Sequence, residues 1–313
     1  MDRAEVVGLG SCTVDFFALV PRLIGAEEKI NVPQLEIYAG GVTANNLTQV
    51  ARLGACAGWI GLLGDDGNAE IIRKQFVEDS MDITGIQTVP GERSSFTWIP
   101  VDAQGERLIY MFPNITAQVT AAQMRERFAP HIRAARHFHT EASQLPLEPV
   151  LEGIKIAREA GVRVFFDLDV SPKDFFAAGL GTDAELERAI SLSDVLKPCK
   201  AAARELTGED DPARMAEKLL DFGTKLVAIT MGADGSLIAT REGVAECPGF
   251  RVSVKDTTGA GDAFLGGLSC ALLEGREPED AGRFANACAA LCCTRVGARA
   301  MARRDEVEAL LAK

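Results

Sequence analysis

The nine residues Asp256-Thr257-Thr258-Gly259-Ala260-Gly261-Asp262-Ala263-Phe264 decide how the rest of this chain is read. They lie between a β-favouring segment, Phe250 to Val254, and a run of small helix-forming residues, Ala263 to Leu273. Three small residues in succession, Gly259, Ala260 and Gly261, allow backbone N–H groups to converge on one point. The helix that follows adds the positive end of its dipole. Such a turn holds an anion. Asp262 stands at the helix start, where its own charge competes with that anion. A base beside an anion cradle suits a hydroxyl that attacks a phosphate. The competing role for Asp262 is a helix cap, which contributes about 1 kcal/mol; the flanking Gly-Ala-Gly favours the chemical role.

Working outward, the chain alternates apolar strands with amphipathic helices. A first strand is expected over Val6 to Gly10, then a helix over Ala44 to Leu53 stopped by Gly54. An apolar strand over Gly58 to Leu63 precedes a helix over Asn68 to Asp79. The same rhythm continues with helix Glu148 to Ala160 and strand Val162 to Phe166, helix Asp183 to Leu192 and strand Val195 to Lys197, helix Pro212 to Phe222 and strand Leu226 to Thr230. A last long helix is expected over Asp280 to Val296. Continuous apolar strands between amphipathic helices imply a parallel sheet covered on both faces. Two segments break the rhythm. Thr13 to Tyr38 has extended pieces without a helix, and Ser94 to Phe112 reads as a hairpin around Asp102-Ala103-Gln104-Gly105-Glu106. A small β-layer inserted in two pieces would lie over the carboxyl ends of the parallel strands, where ligands bind in open α/β sheets. The expected division is a core of residues 1–12, 39–92 and 113–313, and a lid of 13–38 and 93–112.

Composition narrows the possibilities. The chain has 313 residues, 47% hydrophobic and 25% charged, an ordinary globular balance that needs no disulfide staples. Its net charge of −12 argues against nucleic acid, because phosphate backbones require clustered Lys and Arg. No run reaches the ~18 apolar residues of a membrane span, and Met1 to Gly10 lacks signal-peptide organisation, so a cytoplasmic enzyme is expected. The eight Cys show no zinc-type spacing and read as buried apolar residues in a reducing compartment. The GxxxxGK[ST] pattern is absent, which excludes a P-loop kinase, and Gly8-Leu9-Gly10 lacks the third Gly of a dinucleotide fingerprint.

Two signatures occur in order: Gly40-Gly41-Val42-Thr43-Ala44-Asn45, with Leu53-Gly54-Ala55 and Gly61-Leu62-Leu63-Gly64-Asp65-Asp66 behind it, and then Asp256 to Phe264. Together they make the chain resemble the ribokinase, or phosphofructokinase-B, family of carbohydrate kinases over nearly its whole length. The resemblance implies a ribokinase-like three-layer α/β/α sandwich with a small β-sheet lid. It implies ATP and Mg²⁺ as cofactors. Asp262 would be the base that takes the proton of a sugar hydroxyl as it attacks the γ-phosphate, and the amides of Gly259, Ala260 and Gly261 would hold the phosphoryl oxygens. Asp15, Gly40, Gly41, Asn45 and, by a looser match, Glu141 would bind sugar hydroxyls, with Gln144 competing for the place of Glu141. Thr230, Gly232, Gly235 and Asn286 would line the nucleotide. Asp256, Thr258 and Gly297 match positions that hold a monovalent cation in potassium-activated members.

One departure stands out. Many members carry Asn-x-x-Glu after Lys-Pro, where it organises magnesium; here Cys199 and Ala202 take those places, with Glu205 a possible substitute one turn on. His137 and His139 read as structural or solvent-facing. The implied substrate is a neutral pentose or ketohexose, phosphorylated on a hydroxymethyl group. If Arg93 and Arg107 of the lid hairpin point inward, an anionic sugar phosphate or sulfosugar is favoured instead; a nucleoside is a third option. A sensor without catalysis is the competing class, suggested by the altered metal motif and opposed by Asp262. The exposed lid is expected to pair with a second subunit in a homodimer.

Overall fold

In the computed structural model, which describes residues 4–313, fourteen strands are found: β1 (Val6–Leu9), β2 (Thr13–Leu19), β3 (Gln34–Gly40), β4 (Ala57–Trp59), β5 (Gly61–Leu63), β6 (Ile86–Thr88), β7 (Phe96–Val101), β8 (Tyr110–Phe112), β9 (His137–Ala142), β10 (Arg163–Leu168), β11 (Val195–Pro198), β12 (Leu226–Thr230), β13 (Gly235–Thr240) and β14 (Gly243–Pro248). Eight of them form one sheet in the order β14-β13-β12-β11-β10-β9-β1-β4. From β4 to β12 the strands run parallel, and β13 and β14 add an antiparallel edge. β1, β9 and β11 are buried at every position, as strands covered on both faces must be. One apolar layer lies on each face. Phe138, Phe166 and Leu196 point into the first; Phe165, Phe264 and Phe284 point into the second.

The helices fall close to their expected places: Val42–Arg52, Gly67–Glu78, Leu147–Glu159, Asp183–Leu192, Pro212–Asp221, Ala260–Leu273 and Pro278–Cys292. The last stops short of Val296, which is exposed beyond it. Two strand expectations are corrected. Gly58 to Leu63 is two strands, because the chain turns at Gly61 with φ 155°, where a Cβ would lie 2.4 Å from the Trp59 ring. Phe250 to Val254 is extended but pairs with nothing; its β-favouring residues find no ladder, and Val254 stands exposed.

The second sheet has four strands in the order β3-β2-β7-β8. β2 pairs antiparallel with β3 and parallel with β7, so Asp15 lies beside Tyr38 and Thr97. The β3 ladder runs on to Gly40, two residues past the expected lid boundary, and delivers the chain directly to the Val42–Arg52 helix. Aromatic packing holds the layer together: Phe96 stacks on Phe112 at 4.3 Å and meets Phe16 edge-on at 5.9 Å. Leu35, Ile37 and Tyr110 are exposed on the outer face, with Phe16 and Trp98 between them, while Met111 is exposed on the opposite face, the one that carries Asp15 and Thr97.

Neither His of β9 faces solvent. His137 Nδ1 and His139 Nε2 share the Ser269 hydroxyl at 3.0 and 2.8 Å, and His139 stacks on Phe165 at 4.6 Å. Burial pushes both imidazoles down to about 3 from 6.5. Below pH 6.5 the unfolded chain binds protons that the folded chain refuses. The stability these groups contribute is therefore full above about pH 6.5 and is lost as pH falls toward 3, by about 1.4 kcal/mol per pH unit for each imidazole. Urea unfolding at pH 7, 6 and 5 is expected to show a steeper loss of stability in the wild type than in a His137→Asn/His139→Gln variant. Equal slopes would show that the two rings are not responsible.

Candidate active site

The cradle is built where the Ala260–Leu273 helix begins. Gly259 is its N-cap with φ 79°, and a Cβ there would strike Ala298 O at 2.1 Å, so only glycine fits. The Ala260 N–H already bonds to Thr257 O at 3.2 Å, so of the three expected cradle amides this one is in use. The N–H groups of the next residues, Gly261 and Asp262, belong to the helix turn that lacks internal acceptors. Asp262 does not cap the helix. It is buried, and its Oδ2 accepts from Asn45 Nδ2 at 2.8 Å. Burial, followed by the like charge of Asp169, pushes its pKa well above the ordinary value; Lys197 and Asn45 act against that shift. A carboxylate with a raised pKa is a better proton acceptor.

The residues expected around a sugar meet at the junction of the two sheets. Asp15 is buried, and its Oδ1 accepts from Thr13 Oγ1 at 2.9 Å. A Cβ on Gly40 would lie 2.0 Å from Asp15 Oδ2, so the missing side chain is what gives this carboxylate its place. A Cβ on Gly41 would lie 2.6 Å from the Ser11 carbonyl oxygen. Asn45, in the first turn of the Val42–Arg52 helix, is held on both sides: its Nδ2 donates to Asp262 and its Oδ1 accepts from Arg299 Nε at 3.1 Å. Arg299 was not legible as a site residue, because its contact spans 254 positions.

Glu141 is withdrawn from the sugar-binding set. Its carboxylate is fully buried and accepts from Ser11 N at 3.0 Å, Thr43 N at 2.8 Å, Thr43 Oγ1 at 2.5 Å and Ser143 Oγ at 2.7 Å. Four donors from the protein saturate it. Glu141 instead fastens the end of β9 to the β1 loop and to the start of the Val42–Arg52 helix. Glu205 is likewise engaged elsewhere: exposed, it accepts from Lys173 N at 2.7 Å. In the altered motif, Cys199 caps the Lys200–Thr207 helix through Ala202 N at 3.5 Å, and the Ala202 side chain fills core.

Two charged residues near the cradle escaped the sequence reading. Lys197 Nζ bridges both Asp167 oxygens at 2.7 and 3.0 Å in full burial, and lies 3.4 Å from the Cβ position of Gly261. Burial works against this ammonium, yet Asp167, Asp169 and Asp262 together push its pKa up, so it stays charged. Asp169 stands just beyond the end of β10 and acts on both Lys197 and Asp262. The Asp-x-Asp of residues 167–169 was the available signal.

On the other side of the cradle is a cavity of about 560 Å³, large enough for a nucleotide. Thr230, Gly232, Gly235 and Asn286 all line it, together with Ala260 and Gly261. Asn286 Nδ2 donates to Cys247 O at 2.7 Å, which aims the rest of its amide. The unpaired stretch Phe250 to Val254 forms one wall, which gives its extended shape a use. Asp256 closes the loop from below. Partial burial raises its pKa, but hydrogen bonds from Gly297 N at 3.0 Å, Thr258 N at 2.9 Å and Thr258 Oγ1 at 2.7 Å prevail and hold it below the ordinary value.

Comparison with known proteins agrees with this geometry. The pfkB family carbohydrate kinase pattern matches residues 3–304. An ATP-dependent ribose-1-phosphate kinase of Halopiger xanaduensis is 32% identical over 99% of this chain and 98% of its own length. Fructokinase-1 of Oryza sativa subsp. japonica is 31% identical over 95% and 94%. The ribokinase structure from Thermotoga maritima, 26% identical, superposes with a TM-score of 0.86 over 99% of this chain and 100% of that one. The ribokinase of Arabidopsis thaliana complexed with ribose and ATP shares the fold at a TM-score of 0.88, with 24% identity over 99% of each chain. The chain belongs to the pfkB family of carbohydrate kinases, phosphotransferases with an alcohol group as acceptor.

Proposed function

We propose that this kinase transfers the γ-phosphoryl group of ATP to a hydroxymethyl group of a neutral pentose or ketohexose. The observation that carries the reading is the position of Asp262, bonded to Asn45 on the sugar side while its helix start opens on the nucleotide-sized cavity. In the proposed step the sugar oxygen bonds to the γ-phosphorus. Asp262 receives its proton, and the bond from that phosphorus to the β–γ bridging oxygen breaks to release ADP. The Gly261 and Asp262 amides and the Lys197 ammonium face the charge that builds on the phosphoryl oxygens. Asp15 accepts from the hydroxyls of the sugar and would repel an anionic one. The names of the relatives, ribokinase and fructokinase among them, support this substrate class.

Magnesium, when bound with ATP, neutralises phosphate charge. The residues fit it loosely: with Cys199 and Ala202 in the altered motif and Glu205 turned away, phosphate oxygens and water supply most of its ligands, and Asp169 is the carboxylate placed to accept from those waters. A potassium ion at Asp256, Thr258 and Gly297 fits less well. Both Asp256 oxygens already accept donors, and Arg107 Nη1 donates to Thr258 Oγ1 at 3.0 Å, so the loop has its own cation nearby. That same Arg107 contact, with the name of the Halopiger relative, favours a second reading in which the substrate is a sugar phosphate. Arg93 is exposed on the hairpin and adds nothing to it. Among the described residues no helix is long and apolar enough to cross a membrane; the eight free cysteines are in keeping with a reducing, cytosolic setting.

A coupled ADP-release screen over ribose, fructose, nucleosides and sugar phosphates tests the substrate class; turnover with sugar phosphates alone would overturn the neutral-sugar reading. Asp262→Asn is expected to lower kcat by at least ~100-fold, within the range of general-base effects. In the wild type the acid limb of kcat/KM should lie above the usual carboxylate range. Gly40→Ala is expected to displace Asp15 and raise the sugar KM roughly tenfold, the scale of one lost charge-assisted hydrogen bond, with little change in Tm; an unchanged KM would remove Asp15 from the sugar site. The exposed outer lid face is expected to bury itself against a second copy. Sedimentation should show a dimer at micromolar concentration that Ile37→Glu/Tyr110→Glu dissociates, and a monomeric wild type would refute the pairing.

A further inference from the structure

Arg299 is an unusual residue to bury. It is 8% exposed, and among the described residues it makes no salt bridge. Its Nη1 is buried without an acceptor. Nη2 donates to Gly40 O at 2.7 Å, Nε donates to Asn45 Oδ1 at 3.1 Å, and the guanidinium lies 5.4 Å from the centre of the Phe76 ring. A buried cation without a carboxylate partner costs stability. Its contacts show what is obtained in return. A guanidinium only donates, and a carboxylate only accepts. An amide placed between the two has one permitted orientation, with Oδ1 toward Arg299 and Nδ2 toward Asp262. The Asn45 amide occupies that place and that orientation.

We propose that Arg299 is a positioning residue for phosphoryl transfer: it fixes the Asn45 amide, and through it commits Asp262 Oδ2 to an acceptor role, leaving Oδ1 to take the proton of the sugar. The inference rests on Asp262 being the base. The loop that carries Arg299 is itself registered to the cradle, since Gly297 N donates to Asp256 Oδ2 at 3.0 Å and Ala298 O packs where a Gly259 Cβ would be. One loop therefore sets both the shape of the anion cradle and the orientation of the base. The same guanidinium holds the Gly40 carbonyl, and Gly40 faces Asp15, so the sugar-binding carboxylate is registered to that loop as well. Without Arg299, the Asn45 amide is free to rotate and present its oxygen to the Asp262 carboxylate, an arrangement that repels.

The test is a double-mutant cycle read in kcat and KM. Arg299→Met is expected to lower kcat by roughly 10- to 100-fold, the equivalent of one charge-assisted hydrogen bond. KM for ATP should stay within about twofold, because Arg299 does not line the nucleotide cavity. Arg299→Lys, which keeps a donor, should recover part of the loss. In an Asn45→Ala background, Arg299→Met should cause little further loss, because the residue through which it acts is gone. Losses that multiply independently of Asn45, or a kcat unchanged by Arg299→Met, would overturn the proposal. If Arg299→Met does not fold, the cycle is run with Arg299→Lys, whose smaller loss must likewise vanish in the Asn45→Ala background. Asp262→Asn is measured alongside. Near-wild-type turnover in that variant defeats the reading of Asp262 as base, whereas an inactive Asp262→Asn with a neutral Arg299→Met defeats this inference alone.

Discussion

The Asp262 carboxyl group is buried away from bulk water, and the end of the sheet is organised around that constraint. A buried carboxylate without partners would simply take up a proton. Here the partners are limited and directional. Asn45 donates one hydrogen bond at 2.8 Å, and Lys197 supplies positive charge from below. Asp169 and Asp167 push the other way. The outcome is a carboxyl group whose pKa stands well above the ordinary value. A structural carboxylate in this protein looks different: Glu141 takes four donors and has nothing left to offer. The contrast between the two, both buried, distinguishes the proposed base from the fastening group more firmly than burial alone.

The fold explains why these groups come together. Parallel strands place their carboxyl ends on one edge, and the residues that leave β9, β10 and β11 there include Glu141, Asp167 and Lys197. The second sheet is joined to the same edge by continuous chain, since the β3 ladder ends at Gly40 and the Val42–Arg52 helix begins two residues later. Gly40 and Gly41 allow that junction because any Cβ would strike Asp15 or the Ser11 carbonyl. The small sheet that carries Asp15 is therefore continuous with the helix that carries Asn45.

Most of the architecture was legible in the sequence because it is punctuated locally. Helix ends at Gly54 and Gly161, and the apolar run Leu226 to Thr230, need no tertiary information. The turn at Gly259-Ala260-Gly261 and the helix start that carries Asp262 were legible for the same reason: a turn, a helix start and a carboxylate within nine residues. The failures share one cause. Glu141 reads as a free acid until Thr43, 98 positions away, is seen to claim it. Gly58 to Leu63 reads as one strand until the Trp59 ring is placed against Gly61. Phe250 to Val254 has strand-forming residues but joins no ladder, and lines the cavity beside the cradle instead. In each case a long-range contact, and not a local preference, decided the outcome.

The loss of the Asn-x-x-Glu pair is better understood with these contacts in view. Cys199 keeps the helix-capping part of the first position, accepting from Ala202 N, while Ala202 gives its side chain to the core. The cap survives and the metal-facing acid does not. Charge beside the cradle comes instead from Asp169 and from the Lys197–Asp167 pair, whose ammonium reaches to within 3.4 Å of the Gly261 Cβ position. A fixed cation on β11 can do electrostatically part of what a tightly organised metal does, because both offset charge on the phosphoryl oxygens. It also imposes a limit: Lys197 is buried in a bidentate pair and fixed in place, so in the proposed reaction the walls of the cavity must bring the nucleotide to it.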